Sequence, residues 1–507
     1  MRLRAIRSHR IAFFAALPLV LLGVACSLEP KLELPAPPIQ GAWPIPASFA
    51  APSASEGATA PADASAAAAV AETSTGATNV ADIGWRDFLA DQRLQGLVAL
   101  ALENNRDLRA TTLNVARVQA LYDIRRADRV PSIDADAAMV RQRFSKSETG
   151  GNPDTRTAYV AEVGITSYEL DLFGRVRSLS HSALESYFAS DEARRGTQLA
   201  LIASVADTYL QLAADRELQR LAEETVGSEE KSFSLTQRRY DLGAVSGLDL
   251  AQARTTVEAA RVDAARFEGD VAQDLNFLTL LAGAPIPPEL LPEHFDEGAT
   301  GMTPLPPGVP SDTLLRRPDV LEAEHFLRSA NADIGAARAA FFPRISLTAT
   351  AGYASEELTG LFGSGGGVWT FAPRISIPIF NGGRLRAGKR AADVSRDIAV
   401  ARYEEAIQIG FREVSDALAL TRTLAKQREA QQALAGAAGK AYDLSRERYE
   451  AGRDSYLSAL IAQRASYGAQ QGLIGVRLAE ARNRVDLYRA LGGGWKERTA
   501  DQGDTTR

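Results

Sequence analysis

The chain offers little for covalent or metal chemistry: one cysteine and four histidines in 507 residues. Cys26 is alone, so it cannot close an internal disulfide, and its thiol is left for attachment chemistry or for none. His9, His181, His294 and His325 are scattered, with no spacing that would gather ligands round a metal or set a base beside a nucleophile. His325, inside LEAEHFL, reads as a packing or surface residue. GSGGG lacks the GK[ST] ending of a phosphate loop and reads as a turn. These residues argue against an enzyme, and no dissociable cofactor or metal is expected.

Cys26 takes its meaning from what precedes it. MRLRAIRSHR is followed by the apolar run IAFFAALPLVLLGVA, which ends in small residues. Residues 1–25 therefore read as a secretory signal peptide. Gly23-Val24-Ala25-Cys26-Ser27 resembles the lipobox of bacterial lipoproteins, with Gly23 where leucine is usual. The resemblance implies that Cys26 becomes the acylated first residue and that Ser27 directs release to the outer membrane; the other reading is an incidental thiol. Acyl chains anchor by burying methylenes in lipid. The formal charge of −6 becomes about −10 once Arg2, Arg4, Arg7 and Arg10 leave with the signal peptide, so no nucleic-acid partner is expected. No later stretch has the roughly eighteen apolar residues of a spanning helix. If the mature chain crosses a membrane, strands must do it.

The elements that would position anything functional are written twice. In RRYDLGAVSGLDLAQAR, Arg239, Tyr240, Gly243, Ser246, Leu248 and Ala253 recur 209 residues later as Arg448, Tyr449, Gly452, Ser455, Leu457 and Ala462. This is an internal duplication. A low-complexity tether (26–84), repeat one (85–283), a Pro-rich linker (284–311), repeat two (312–492) and a flexible tail (493–507) follow the signal peptide. Each repeat reads as a helix (Leu94 to Arg129 in the first), a strand hairpin, a very long helix, a tight turn and a returning helix, an α+β composition. The hairpins are expected over 131–170 and 344–379. Ile345, Leu347, Ala349, Ala351 and Tyr353 alternate with small or polar residues, as Trp369, Phe371 and Ile375 do, which is the period of a barrel strand or of a soluble sheet face. Pro373 and Pro378 argue against an uninterrupted central strand and mark a bend or the rim of a barrel. The repeat spacing falls from 212 to 209 across the hairpins, a difference assigned to loops.

From Phe173 to Leu242 and from Gly383 to Ala451 little interrupts a helix, so each could approach roughly 70 residues and about 100 Å. Ile202, Val205, Tyr209 and Leu212, matched by Phe411, Val414 and Leu418, form a coiled-coil-like stripe, and Arg194, Asp207, Arg216, Arg412 and Asp416 read as solvated positions. Gly243 and Gly452 should end the long helices by taking positive φ, with Ser246 and Ser455 as N-caps of the returning ones.

Four strands per chain cannot close, and an open edge in lipid leaves backbone groups unsatisfied. A membrane form must pool strands from several chains. LLRRPDVLEAE, FFPRISLTA, the Phe380-Asn381-Gly382-Gly383-Arg384 turn and the paired RY-x-x-G-x-x-S-x-L phrases resemble the TolC/OprM-type outer-membrane factor family, in its NodT-like lipoprotein efflux-channel branch, from about Trp85 to Gly492. The resemblance implies a homotrimer, a twelve-stranded transmembrane barrel continued by a periplasmic helical barrel, and export of drugs or toxic compounds with a periplasmic adaptor and an inner-membrane pump. It places both phrases at the periplasmic tips of the helical hairpins. It implies adaptor contacts at Gly243, Val245, Ser246, Gly452, Asp454 and Ser455, and a gate in which Asp249 and Tyr449 link neighbouring hairpins. For Asp249 the other reading is a solvated helix-start carboxylate. Family members often line the narrowest ring with aspartates, at positions that fall here on Ser458 and Ile461, so a less charged ring is expected. A coiled-coil periplasmic lipoprotein or adaptor without a pore, a type I secretion duct and a metal-efflux duct are the alternatives.

Overall fold

The computed structural model describes residues 27–39, 43, 80–152, 154–296, 300–303, 305 and 311–499. The signal peptide, Cys26 and nearly all of the low-complexity tether lie outside them. In chain order the elements are α1 (Trp85–Phe88), α2 (Gln92–Asn104), α3 (Arg106–Ala127), β1 (Asp134–Phe144), α4 (Lys146–Thr149), β2 (Asp154–Leu170), α5 (Arg175–Asp241), α6 (Gly247–Ala282), α7 (Pro318–Ala339), β3 (Arg344–Ser355), β4 (Gly367–Ser376), α8 (Arg384–Glu450) and α9 (Tyr456–Ala490). The long helices α5 and α8 have 67 residues each, as the uninterrupted stretches predict. The first expected helix is two, because Asn105 leaves the helical region at ψ 131°, accepts the Leu108 amide at 2.9 Å through Oδ1 and donates to the Leu281 carbonyl at 2.9 Å. Among the described residues no helix is long and apolar enough to cross a membrane.

The chain divides into two compact units. One contains residues 114–190 and 322–403 with the described part of residues 1–36. Its centre is an antiparallel sheet in the order β1-β2-β3-β4. The register aligns Ala135, Val163, Ala351 and Trp369 across all four strands, and Ile165, Ala349 and Phe371 across three. Asp136, Glu162 and Gly352 share a row of the opposite face with Val368, and Asp134, Gly164, Thr350 and Thr370 share the next but one. Period-two alternation in the four strands thus becomes one apolar and one polar face. Against expectation, the length difference between the repeats does not sit in the hairpin loops: β2 has 17 residues against 10 in β4. Part of the excess is a bulge, where Thr166 and Ser167 (φ +67°) stand opposite Thr348. Pro373 lies within β4, an edge strand of this sheet, where a missing backbone donor is tolerated.

In the same unit residues 27–36 lie on helices α5 and α7. Asn331 Nδ2 donates to the Pro30 carbonyl at 2.8 Å and Arg338 Nη1 to the Leu28 carbonyl at 3.3 Å. Gly335 makes the approach possible, since a Cβ there would stand 2.9 Å from Glu29 Cα.

The second unit contains the described residues of 37–113, 191–321 and 404–507. Its core buries Ile202, Val205, Tyr209 and Leu212 with Val414, and Phe411 and Leu418 pack against it, so the stripe is buried as its spacing predicts. Phe88 stacks on Tyr488 at 3.9 Å and the Tyr209 hydroxyl bonds Asp91 at 2.5 Å. Two segments read as linker and tail are built into this unit. Phe295 is 3% exposed, and Trp85 and Arg86 donate their amides to the carbonyls of Lys496 and Glu497 at 3.0 and 3.1 Å. The rest of the expected tail, 500–507, lies outside the described residues.

Candidate functional site: the hairpin tips and the strand face

The duplicated phrase builds the same backbone turn twice. At Gly243 (φ +73°) the amide bonds the Tyr240 carbonyl at 2.8 Å and the Ala244 amide bonds the Arg239 carbonyl at 2.8 Å. At Gly452 (φ +68°) the equivalent bonds to Tyr449 and Arg448 are both 2.9 Å. This is the Schellman ending, and it requires the left-handed residue that glycine supplies without strain. The returning helices then start differently. Ser246 caps α6 by accepting the Asp249 amide at 3.2 Å, and Asp249 Oδ2 takes the Ser246 amide at 3.0 Å and its hydroxyl at 2.8 Å, a reciprocal capping box. In the second copy the acid is replaced by Ser458. Ser455 is the N-cap of α9 without a side-chain cap bond, and Arg448 instead clamps Asp454 at 2.5 and 3.0 Å.

Behind the tips, Ala253, Tyr449, Tyr456, Ala459 and Leu460 form a small apolar cluster. Arg239 lies over the Tyr449 ring at 5.3 Å and reaches the Glu450 carbonyl at 3.3 Å, so the first hairpin meets the second here. The Tyr449 hydroxyl is buried without a partner among the described residues, whereas Asp249 is engaged in its cap. Within this chain the two are not joined. Gly243, Ser246, Gly452 and Ser455 are exposed, and Val245 and Asp454 are half-buried. Ser458 and Ile461 are exposed one turn apart on α9, with Ile461 62% accessible. The sequence reading passed over Leu242, which is 84% exposed beside Gly243.

In the other unit the apolar strand face is uncovered. Trp369 is 78% exposed, Phe371 62% and Ile375 64%, and the outer edges of β1 and β4 pair with no strand among the described residues. A bare aromatic and aliphatic face of this extent marks an interaction with lipid or with protein.

A family model described as "Outer membrane efflux protein" matches residues 97–284 and 309–493. The chain belongs to the outer membrane efflux protein family. It is 46% identical to the probable efflux pump outer membrane protein TtgC of Pseudomonas putida over 476 residues, 94% of each chain. It is 41% identical to the outer membrane protein OprJ of Pseudomonas aeruginosa, over 95% of this chain and 96% of that one. Its fold superposes on the open-state outer membrane channel MtrE of Neisseria gonorrhoeae with a TM-score of 0.81 at 36% identity, covering 94% of this chain and all of that one. Members of this family are transport channels of the outer membrane, and the resemblance read from the motifs is borne out.

In this outer membrane efflux protein, some motifs that carried the resemblance are structural. Arg317 of LLRRPDV is almost fully buried and bonds Asp319 at 3.0 and 2.7 Å, Glu413 at 2.9 Å and the Ala490 carbonyl at 2.6 Å. The histidines, in contrast, are not all isolated. His325 Nδ1 meets Glu185 Oε2 at 2.7 Å, His181 Nε2 meets Glu185 Oε1 at 3.3 Å, and His181 Nδ1 meets Glu29 at 3.1 Å. Hydrogen bonds to Glu185 and Glu29 raise His181 to about 10. Burial alone would raise Glu185, but its two histidine partners bring it down to about 2. The i,i+4 spacing of His181 and Glu185 is legible in the sequence, but Glu29 and His325 reach the pair from distant segments that no spacing announces.

Proposed function

We propose that three copies of the chain assemble into a twelve-stranded outer-membrane barrel continued by a periplasmic helical barrel. Together they form the exit duct of a tripartite efflux system, which receives toxic organic compounds from an inner-membrane pump through a periplasmic adaptor. The observation that carries this reading is the four-stranded sheet, apolar on one face, polar on the other and open at both edges. A sheet of that kind is stable in lipid only when its edges close on other chains. The names of the relatives support the cargo class: antibiotic efflux for ArpC, toluene efflux for TtgC and solvent efflux for SrpC, all of Pseudomonas putida. An acyl chain on Cys26 would be a second anchor beside the barrel.

The decisive experiment is the detergent-corrected native mass of the mature protein, followed by planar-bilayer conductance. A trimer with ohmic conductance is expected; a folded monomer without conductance would leave only the coiled-coil lipoprotein. At the tips, Gly243, Val245, Ser246, Gly452, Asp454 and Ser455 are the adaptor contacts. Asp249 and Tyr449 are the latch, which requires the Tyr449 hydroxyl to leave its buried position when the mouth shuts. In cells that depend on this duct, Val245→Glu should abolish export, and Asp249→Ala should admit a bulky antibiotic. Unchanged resistance in both variants would remove the tips from the mechanism.

A further inference from the structure

Within the second unit, α5, α8 and α9 enclose a cleft of about 240 Å³ behind the tips. Its wall contains Glu229, Tyr442, Tyr449, Tyr456 and the apolar side chains of Leu235 and Leu460. Glu229 is 5% exposed and has neither an ion pair nor a hydrogen bond among the described residues. Burial, with nothing to counter it, pushes its carboxyl up. A second polar atom, the Tyr449 hydroxyl, is buried in the same wall without a partner among the described residues. Isolated buried polar groups cost free energy, and a charged one costs far more.

The two arginines beside the cleft are held elsewhere. Arg446 lies over the Tyr442 ring at 5.6 Å, with Asp443 and Glu450 at 3.8 and 3.9 Å. Arg239 occupies the Tyr449 face. Lys231 lines the rim and is exposed. What the cavity lacks is therefore N–H donors carrying positive charge to the carboxylate, on a stem slim enough to lie along Leu235 and Leu460. We propose that this cleft binds a small organic cation with N–H donors, a guanidinium or primary ammonium on an alkyl stem. The head would donate to Glu229 and to the Tyr449 oxygen, charge-assisted bonds of the stronger kind. A quaternary ammonium fits worse, since it brings no donor and two of the ring faces already carry arginines.

Titration calorimetry on the detergent-purified full-length mature protein tests this with arginine amide and its isostere citrulline amide, both acetylated on the α-amine so that citrulline amide is uncharged, and with tetramethylammonium. Saturable binding of arginine amide is expected, with both comparators weaker by about tenfold or more. Glu229→Gln should weaken arginine amide by a similar factor without lowering the thermal midpoint, because it removes an unpaired buried charge, and Tyr449→Phe should weaken it less. Absence of saturable binding, equal binding of citrulline amide, or undiminished binding in Glu229→Gln would each overturn the site. The readout is on the folded protein whether or not it conducts, so it is independent of the channel reading.

Discussion

Asp207 shows how far a single residue can depart from its pattern. Its place opposite the apolar stripe gives it a solvated reading, yet its Oδ1 is buried without a partner among the described residues. Burial, reinforced by Asp486, pushes its carboxyl up to about 6, against the pull of Arg482 and Arg489. An acid with a raised folded pKa contributes stability that is present below its unfolded value, near 3.8, and is lost as pH rises through about 6. Asp207→Asn should therefore stabilise the protein at pH 8 by on the order of 2 kcal/mol and leave it unchanged near pH 4. Thermal unfolding of both proteins at the two pH values measures this, and an equal effect at both would show that charge is not the cause. His181 and Glu185 slope oppositely. Their mutual support is full between 4.5 and 6.5, and it is lost as pH rises through about 10 for His181 or falls through about 2 for Glu185. Periodicity marks which face of a helix a residue occupies, not what packs over that face from distant sequence.

The bulge in β2 governs a whole strand. Strict alternation continued from Ile165 would turn Glu169 toward the apolar face and Tyr168 toward the polar one. The extra residue at Thr166-Ser167 reverses this, so that Glu169 shares a row with Ser346 and Arg374 while Tyr168 joins Leu347 on the apolar side. Deleting Thr166 and Ser167 together, unlike deleting Ser167 alone, should place Glu169 on the apolar face and cost several kcal/mol in lipid. The expected outcome is loss of heat-modifiable protein from the outer-membrane fraction, with Ser167→Gly behaving as wild type because glycine accepts φ +67°. Normal insertion of the deletion would mean that the face is not in lipid. The sequence reading passed over the bulge, although GITSYEL shifts its apolar phase by one between Ile165 and Tyr168, because no glycine marks the positive-φ position. The hairpins, the 67-residue helices and the glycine turns were legible, because each rests on a local rule repeated in two copies. The division at Asn105 and the docking of residues 493–499 were not, since both depend on partners supplied by distant segments: the Leu281 carbonyl in one case and residues 82–87 in the other.

At the scale of the proposed assembly, the two tips would make unequal contributions to one mouth. The first copy keeps a carboxylate at the third helical position, Asp249, but it is engaged in the cap. The second copy has Ser458 there, and Ile461 is exposed one turn on. In a trimer each of these positions occurs three times, so a ring formed by Ser458 and Ile461 would be uncharged and partly apolar. Such a ring resists ions by dewetting, whereas a carboxylate ring concentrates cations. Ile461→Asp should therefore raise both single-channel conductance and cation preference, with the reversal potential in a tenfold potassium chloride gradient moving toward the potassium equilibrium value. Ser458→Asp should do the same if the register holds, and Leu242→Asp, at the tip of the other hairpin, should not. A reversal potential that ignores Ile461→Asp but follows Leu242→Asp would put the first hairpin, with its exposed leucine, at the narrowest point of the mouth.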